Sequence, residues 1–183
     1  MSNTSTNAPA KLQTMAEPWL RGTLSDRPAE QRAVLHALEL ARDDIARWCA
    51  SLTTTELHAR PYDLASVAFH LRHIVRSLDR LLTYAESGQL SDTQKQQMIA
   101  EMTPGEDRDA VFEEFSVGLD AAEQRIRAIP LQQWPENRGV GRKQLPTTVA
   151  GLLIHCADHT QRHVGQAITT AKVVMALRGE VKL

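Results

Sequence analysis

Apolar residues recur at alternating steps of three and four along most of the chain, the spacing that places them on one face of a 3.6-residue helix. After Ser25 and Asp26, Pro28 sits where a first helical turn tolerates proline, and Val34, Leu38, Ala41, Ile45 and Trp48 form a seam. A second stripe runs Val67, Leu71, Ile74, Leu78 and Leu81, with Asp63 as its expected cap and Gly88 as its stop. A polar stretch from 89 to 102 leaves room for a short helical piece. Thr103, Pro104 and Glu106 then read as a capping-box start to a third helix carrying Phe112, Phe115, Leu119, Ala122, Ile126 and Ile129.

Pro130, Pro135, Gly139, Gly141 and Pro146 make 130–146 an irregular loop and a candidate lid. Thr147 or Thr148 opens the fourth helix, whose stripe passes through Val149, Leu152, Cys156, His159, His163, Ala167 and Thr170 and ends near Gly179. The expected fold is all-α, an up-down four-helix bundle with a long loop before the fourth helix. The domain is expected over 21–178, between a flexible tail at 1–20 and a short C-terminal tail at 179–183.

Composition agrees with helix. Only 4% of residues are aromatic, and an apolar share of 42% in 183 residues suffices for one core. The net charge of -1, without a long basic block, argues against nucleic acid as a partner. Cys49 and Cys156 lie far apart in a chain large enough to need no staple, so they read as reduced thiols, which suits the cytoplasm. Nothing approaches the ~18 consecutive apolar residues of a membrane span, and the first 15 residues lack a signal peptide's basic start and apolar run.

The chemistry concentrates in histidines. His155, His159 and His163 recur every four residues on one helix face, and His159 and His163 replace apolar residues in the stripe itself. Burying imidazoles without partners costs a few kcal/mol each, on the order expected for an unsatisfied polar group. A shared metal ion satisfies both rings, although hydrogen bonds to each other, to Asp or to carbonyls would also serve. Such a pair needs at least one more ligand, and helix 2 offers His70 and His73; helical geometry alone places His70 nearer the apolar stripe. Five of the seven histidines therefore fall in two short segments, which favours a metal over satisfied core rings.

Other groups are weaker candidates. Cys156 shares the face but reads as packing. Asp158 points about 100° from His159 and reads as solvated. Arg72, Arg76, Arg142, Lys143 and Arg162 could frame an anionic substrate, though surface arginines are usually solvated or paired.

The run His159-Thr160-Gln161-Arg162-His163-Val164-Gly165-Gln166, with Ser66-Val67 and the helix 2 histidines, resembles the DinB-like (YfiT-like) superfamily over about 28–175. The resemblance implies His159 and His163 as ligands and makes His73, seven residues after Ser66, the third. It also sets Ser77 where many members have serine, while His70, His155, one turn before His159, and Gln166, whose carboxamide binds such metals weakly, read from their own positions and chemistry as supporting groups around the metal. It further implies one divalent ion, zinc or nickel foremost, and an enzyme acting on a small molecule. Members include thiol-dependent S-transferases and a mycothiol-dependent maleylpyruvate isomerase, so thiol transfer is the expected chemistry, with a low-molecular-weight thiol as co-substrate. A metal-assisted hydrolase and a non-catalytic module with a structural ion are the alternatives, and a homodimer is the candidate assembly.

Overall fold

The computed structural model describes residues 16–103 and 107–180. Four long helices make the bundle: α1 (Ala29–Cys49), α3 (Val67–Ala85), α5 (Arg108–Ala128) and α6 (Val149–Glu180). Shorter pieces join them: α2 (Thr54–His58) and α4 (Asp92–Ile99), and a hairpin of β1 (Asn137–Val140) and β2 (Leu145–Thr148). The expected stripes meet in a single core, where Leu38, Ile45, Leu71, Ile74, Leu78, Leu119, Ile126 and Leu153 are at most 1% exposed. The segment 1–15 of the expected tail lies outside the described residues, as do Pro104 and Glu106 of the expected capping box. Asp107 instead caps α5, its side chain accepting from the Asp109 N–H at 2.7 Å.

Helix directions follow from the cross-helix pairs. His70 meets His163 and Ala65 meets Thr170, so α3 and α6 run antiparallel. Arg72 reaches Glu114 and Arg125 reaches Asp79, so α3 and α5 run parallel. The path is up, down, down, up, and departs from simple alternation after α3. The polar 89–102 stretch causes the departure: it is a return crossover that brings the chain back along α3. Its helix α4 is secured by a capping box in which Ser91 and Gln94 satisfy each other's backbone N–H.

Local chemistry moves two other boundaries. Ser66, not Asp63, caps α3, accepting from Phe69 N–H at 3.2 Å. Asp63 cannot serve, because it and Tyr62 hold left-handed backbone (φ 62 and 52) in a 3-10 turn. Residues 130–146 are also more regular than expected. β1 and β2 pair antiparallel, and Arg138 ties the hairpin to the far end of α3 through the Ala85 carbonyl at 2.7 Å. At 1.5 Å per residue that anchor lies roughly 18 Å along α3 from His73, so the hairpin is no lid over the histidines. It holds the start of α6 instead: the Glu136 and Trp134 carbonyls accept from Val149 and Ala150 N–H, and Thr148 Oγ1 accepts from Gly151 N–H.

Two helical glycines differ in what they allow. A Cβ on Gly118 would stand 2.4 Å from the Val75 side chain, so the close approach of α5 to α3 requires glycine. A Cβ on Gly165 would meet nothing within 4 Å, yet glycine inside a helix costs about 1 kcal/mol relative to alanine.

Candidate metal centre

α3 and α6 face each other with histidines at matching heights, because antiparallel packing pairs position 73 with 159 and 70 with 163. Ligand nitrogens of His73, His159 and His163 all lie within 4.8 Å of one another, a set that could hold a metal ion. His73 Nε2 and His159 Nε2 are 3.3 Å apart, and the His163 ring centre lies 4.4 Å and 4.5 Å from those of His73 and His159. Nitrogen edges that converge in this way need a proton or a cation between them, and neutral imidazoles fit a borderline metal such as zinc. Burial, reinforced by the neighbouring histidines, pushes His159 and His163 down to about 4, as does Arg162. Both rings are neutral at pH 7 and free to offer lone pairs.

The α6 pair stands beside the apolar stripe. Cys156, Thr160 and Val164 make the buried seam, at 0–1% exposure, while His159 and His163 sit half-buried at its edge. Such a site keeps a side open to the surface. His70 is 4% exposed, as its position on the stripe suggested, but its Nδ1 meets His163 Nδ1 at 3.0 Å and its nitrogens are outside the convergent set. Burial, then His163 and His73, push His70 to about 4 as well. His155 is exposed, with Nδ1 3.8 Å from Asp158, whose carboxylate accepts from Arg162 at 2.6 Å. Gln166 is exposed on α6 beside a cleft that His70 also lines. Cys156 is buried and its thiol is pushed up to about 12 by burial, so it stays protonated.

The residue that sequence reading missed is Glu101. The return crossover delivers its carboxylate to His73, where Oε2 accepts from Nδ1 at 2.7 Å, and Arg80 donates to Oε1 at 2.7 Å. Burial raises the Glu101 carboxyl, but the hydrogen bonds from His73 and Arg80 outweigh it and hold the group below its ordinary value. As an ionised acceptor, Glu101 fixes the His73 proton on Nδ1 and turns the Nε2 lone pair toward His159. Arg80 also donates to Ser77 Oγ at 2.9 Å, and that hydroxyl lies 3.4 Å from His73 Nε2. Phe69 stacks on His73 with ring centres 5.2 Å apart, closing one face of the imidazole. Glu101→Ala is expected to weaken divalent-metal affinity roughly 10- to 100-fold, the usual effect of losing a carboxylate behind a histidine. Chelator competition on the two proteins measures it; unchanged affinity would remove Glu101 from the site.

The proposed anion frame is largely committed elsewhere. Arg72 and Arg76 are buried and both reach Glu114, at 3.3 and 2.6 Å. Arg142 and Lys143 lie on the hairpin turn, away from the cluster.

A helical bundle whose facing helices bring three histidines to one half-buried point defines a class of candidate metal-site bundles. The chain belongs to the DinB superfamily, which matches residues 37–167. A solved structure of a conserved protein from Enterococcus faecalis is similar in fold, with a TM-score of 0.67 at 15% identity, covering 80% of this chain and 97% of that one. No curated protein matches the chain by sequence. Among the described residues no helix is long and apolar enough to cross a membrane.

Proposed function

We propose that His73, His159 and His163 hold one divalent ion, zinc or nickel, and that the protein is a metal-dependent enzyme acting on a small molecule, with thiol-dependent S-transfer as the reaction. The supporting observation is a set of three protein donors with no fourth among the described residues, His70 facing His163 Nδ1 through its own Nδ1 instead of joining the set. Three-donor sites keep a position for water or substrate, whereas closed four-donor sites are structural. The ion, when bound, supplies Lewis acidity that lowers the pKa of a water or thiol near it. The chain's own part is orientation: Glu101 holds the His73 proton on Nδ1, and His70 engages His163 at Nδ1, leaving both Nε2 atoms for the centre.

About one divalent ion per chain is expected in protein purified without a histidine tag, by elemental analysis after incubation with zinc or nickel and desalting. Metal far below stoichiometric would end this reading. In cobalt-loaded protein, a low-molecular-weight thiol is expected to produce a near-ultraviolet thiolate-to-cobalt charge-transfer band. A bound ion that ignores thiol would turn the assignment to metal-assisted hydrolysis, or to a structural ion if water is excluded too.

A further inference from the structure

Between α6 and the connection that precedes α3 lies a cleft of about 320 Å³ lined by Leu64, Ala65, His70, Arg162, Gly165 and Gln166. We propose that this cleft binds the carboxylate of a small molecule, and that His70 couples its occupancy to the metal centre through His163. The coupling rests on the metal reading above and extends it to the chemical class of the ligand.

The first observation is the histidine pair. Ring nitrogens of His70 and His163 face at 3.0 Å through their Nδ1 atoms, and only one of them can carry the shared hydrogen. When His163 ligates through Nε2, its own proton sits on Nδ1 and is donated to His70 Nδ1. A neutral His70 must then carry its proton on Nε2. That nitrogen has no hydrogen-bond partner among the described residues, although His70 is only 4% exposed and lines the cleft. A loaded centre thus makes His70 a donor to whatever occupies the cleft, be it water or a ligand oxygen.

The lining matches that polarity. Arg162 and Gln166 bring further donors, and no acidic side chain is among the lining residues; Asp158 is held by Arg162 Nη2 at 2.6 Å, which leaves the rest of the guanidinium for a ligand. Gly165 is the second observation. It weakens the helix, and no neighbouring atom forbids a side chain there, so packing does not account for it. What the missing side chain does leave is the open volume of the cleft. A carboxylate accepting from His70 Nε2 and Arg162 fits donors, charge and space together.

Because coupling between two sites is reciprocal, a metal that sets the His70 tautomer must strengthen carboxylate binding by the factor by which carboxylate strengthens metal binding. The test is calorimetric titration of the full chain with propionate, on zinc-loaded protein of measured zinc content and on protein stripped by chelator. Zinc-loaded protein is expected to bind propionate at least fivefold more tightly than stripped protein, and to bind neutral propionamide at least tenfold more weakly than propionate. The Cβ of Gly165→Leu meets no neighbour within 4 Å, its side chain takes up cleft volume and leucine favours helix, so the variant is expected to retain zinc and its melting temperature while losing propionate binding tenfold or more. Arg162→Ala, on an exposed position, is expected to weaken propionate binding tenfold or more in protein of measured zinc content. The proposal is overturned if zinc-loaded protein does not bind propionate, if propionamide binds equally, if zinc has no effect, or if Gly165→Leu binds as the wild type does. Failure of the metal reading registers separately, as absent zinc before any propionate is added.

Discussion

His73→Ala, His159→Ala and His163→Ala are each expected to abolish tight metal binding, whereas His70→Ala and His155→Ala keep it and lose at most ~10- to 100-fold in affinity. The contrast follows from where the nitrogens lie. Three of them converge within 4.8 Å, while His70 meets His163 through the two Nδ1 atoms and is not in that set, and His155 is exposed beside Asp158. Removing one of three donors leaves a two-histidine site open to water, and removing a ring behind a donor only loosens its orientation. Competition with a chromogenic chelator separates the two groups. Loss in His70→Ala equal to that in His73→Ala would mean a four-donor site and would weaken the case for catalysis, because the position for substrate would be filled.

Leu71→Ala is expected to destabilise the metal-free protein by ~2–5 kcal/mol, or on the order of 5–20 °C in melting temperature. Leu71 is 0% exposed and sits on α3 between His70 and His73, so its removal opens a cavity under the segment that carries them. Since a native-state ligand stabilises by mass action, zinc at roughly 1,000 times its dissociation constant should return about 4 kcal/mol. Differential scanning calorimetry with and without zinc reads both effects. If zinc stabilises Leu71→Ala combined with His73→Ala as much as Leu71→Ala alone, the ion binds somewhere else.

The bundle helices were legible because each buries one stripe, and a period of 3.6 is written in the sequence wherever a helix has one wet face. The i, i+4 histidines were legible for the same reason. The stripe on α6 holds at Val149, Leu152, Cys156, Ala167 and Thr170 and is off by one residue only in its middle, where Thr160 and Val164 are the buried positions and His159 and His163 lie at the edge of the seam. On α3 the two arguments described different properties, since burial follows the stripe and selects His70, while convergence with α6 selects His73. α2 could have been found, because Thr53 and Glu56 form a capping box in plain view. Glu101 could not. It reaches His73 only because the crossover reverses the chain, and no local pattern in a polar segment reports which buried group it will meet.

The clamp at the start of α6 governs accuracy far from itself. Hydrogen bonds from the hairpin segment to Val149, Ala150 and Gly151 fix one end of a 32-residue helix. His159 rides on that helix roughly 15 Å from the clamp. Core packing and the Thr170 hydrogen bond to the Ala65 carbonyl hold the rest of α6, and the clamp adds the near support against tilting: a tilt of ~5° about that end would carry the imidazole ~1.3 Å sideways, several times the ~0.2 Å tolerance of a metal–ligand distance. The strand pairing of Asn137 with Thr148 and the anchoring of Arg138 on Ala85 thus act as the pivot bearing of the site, setting its aim without touching it.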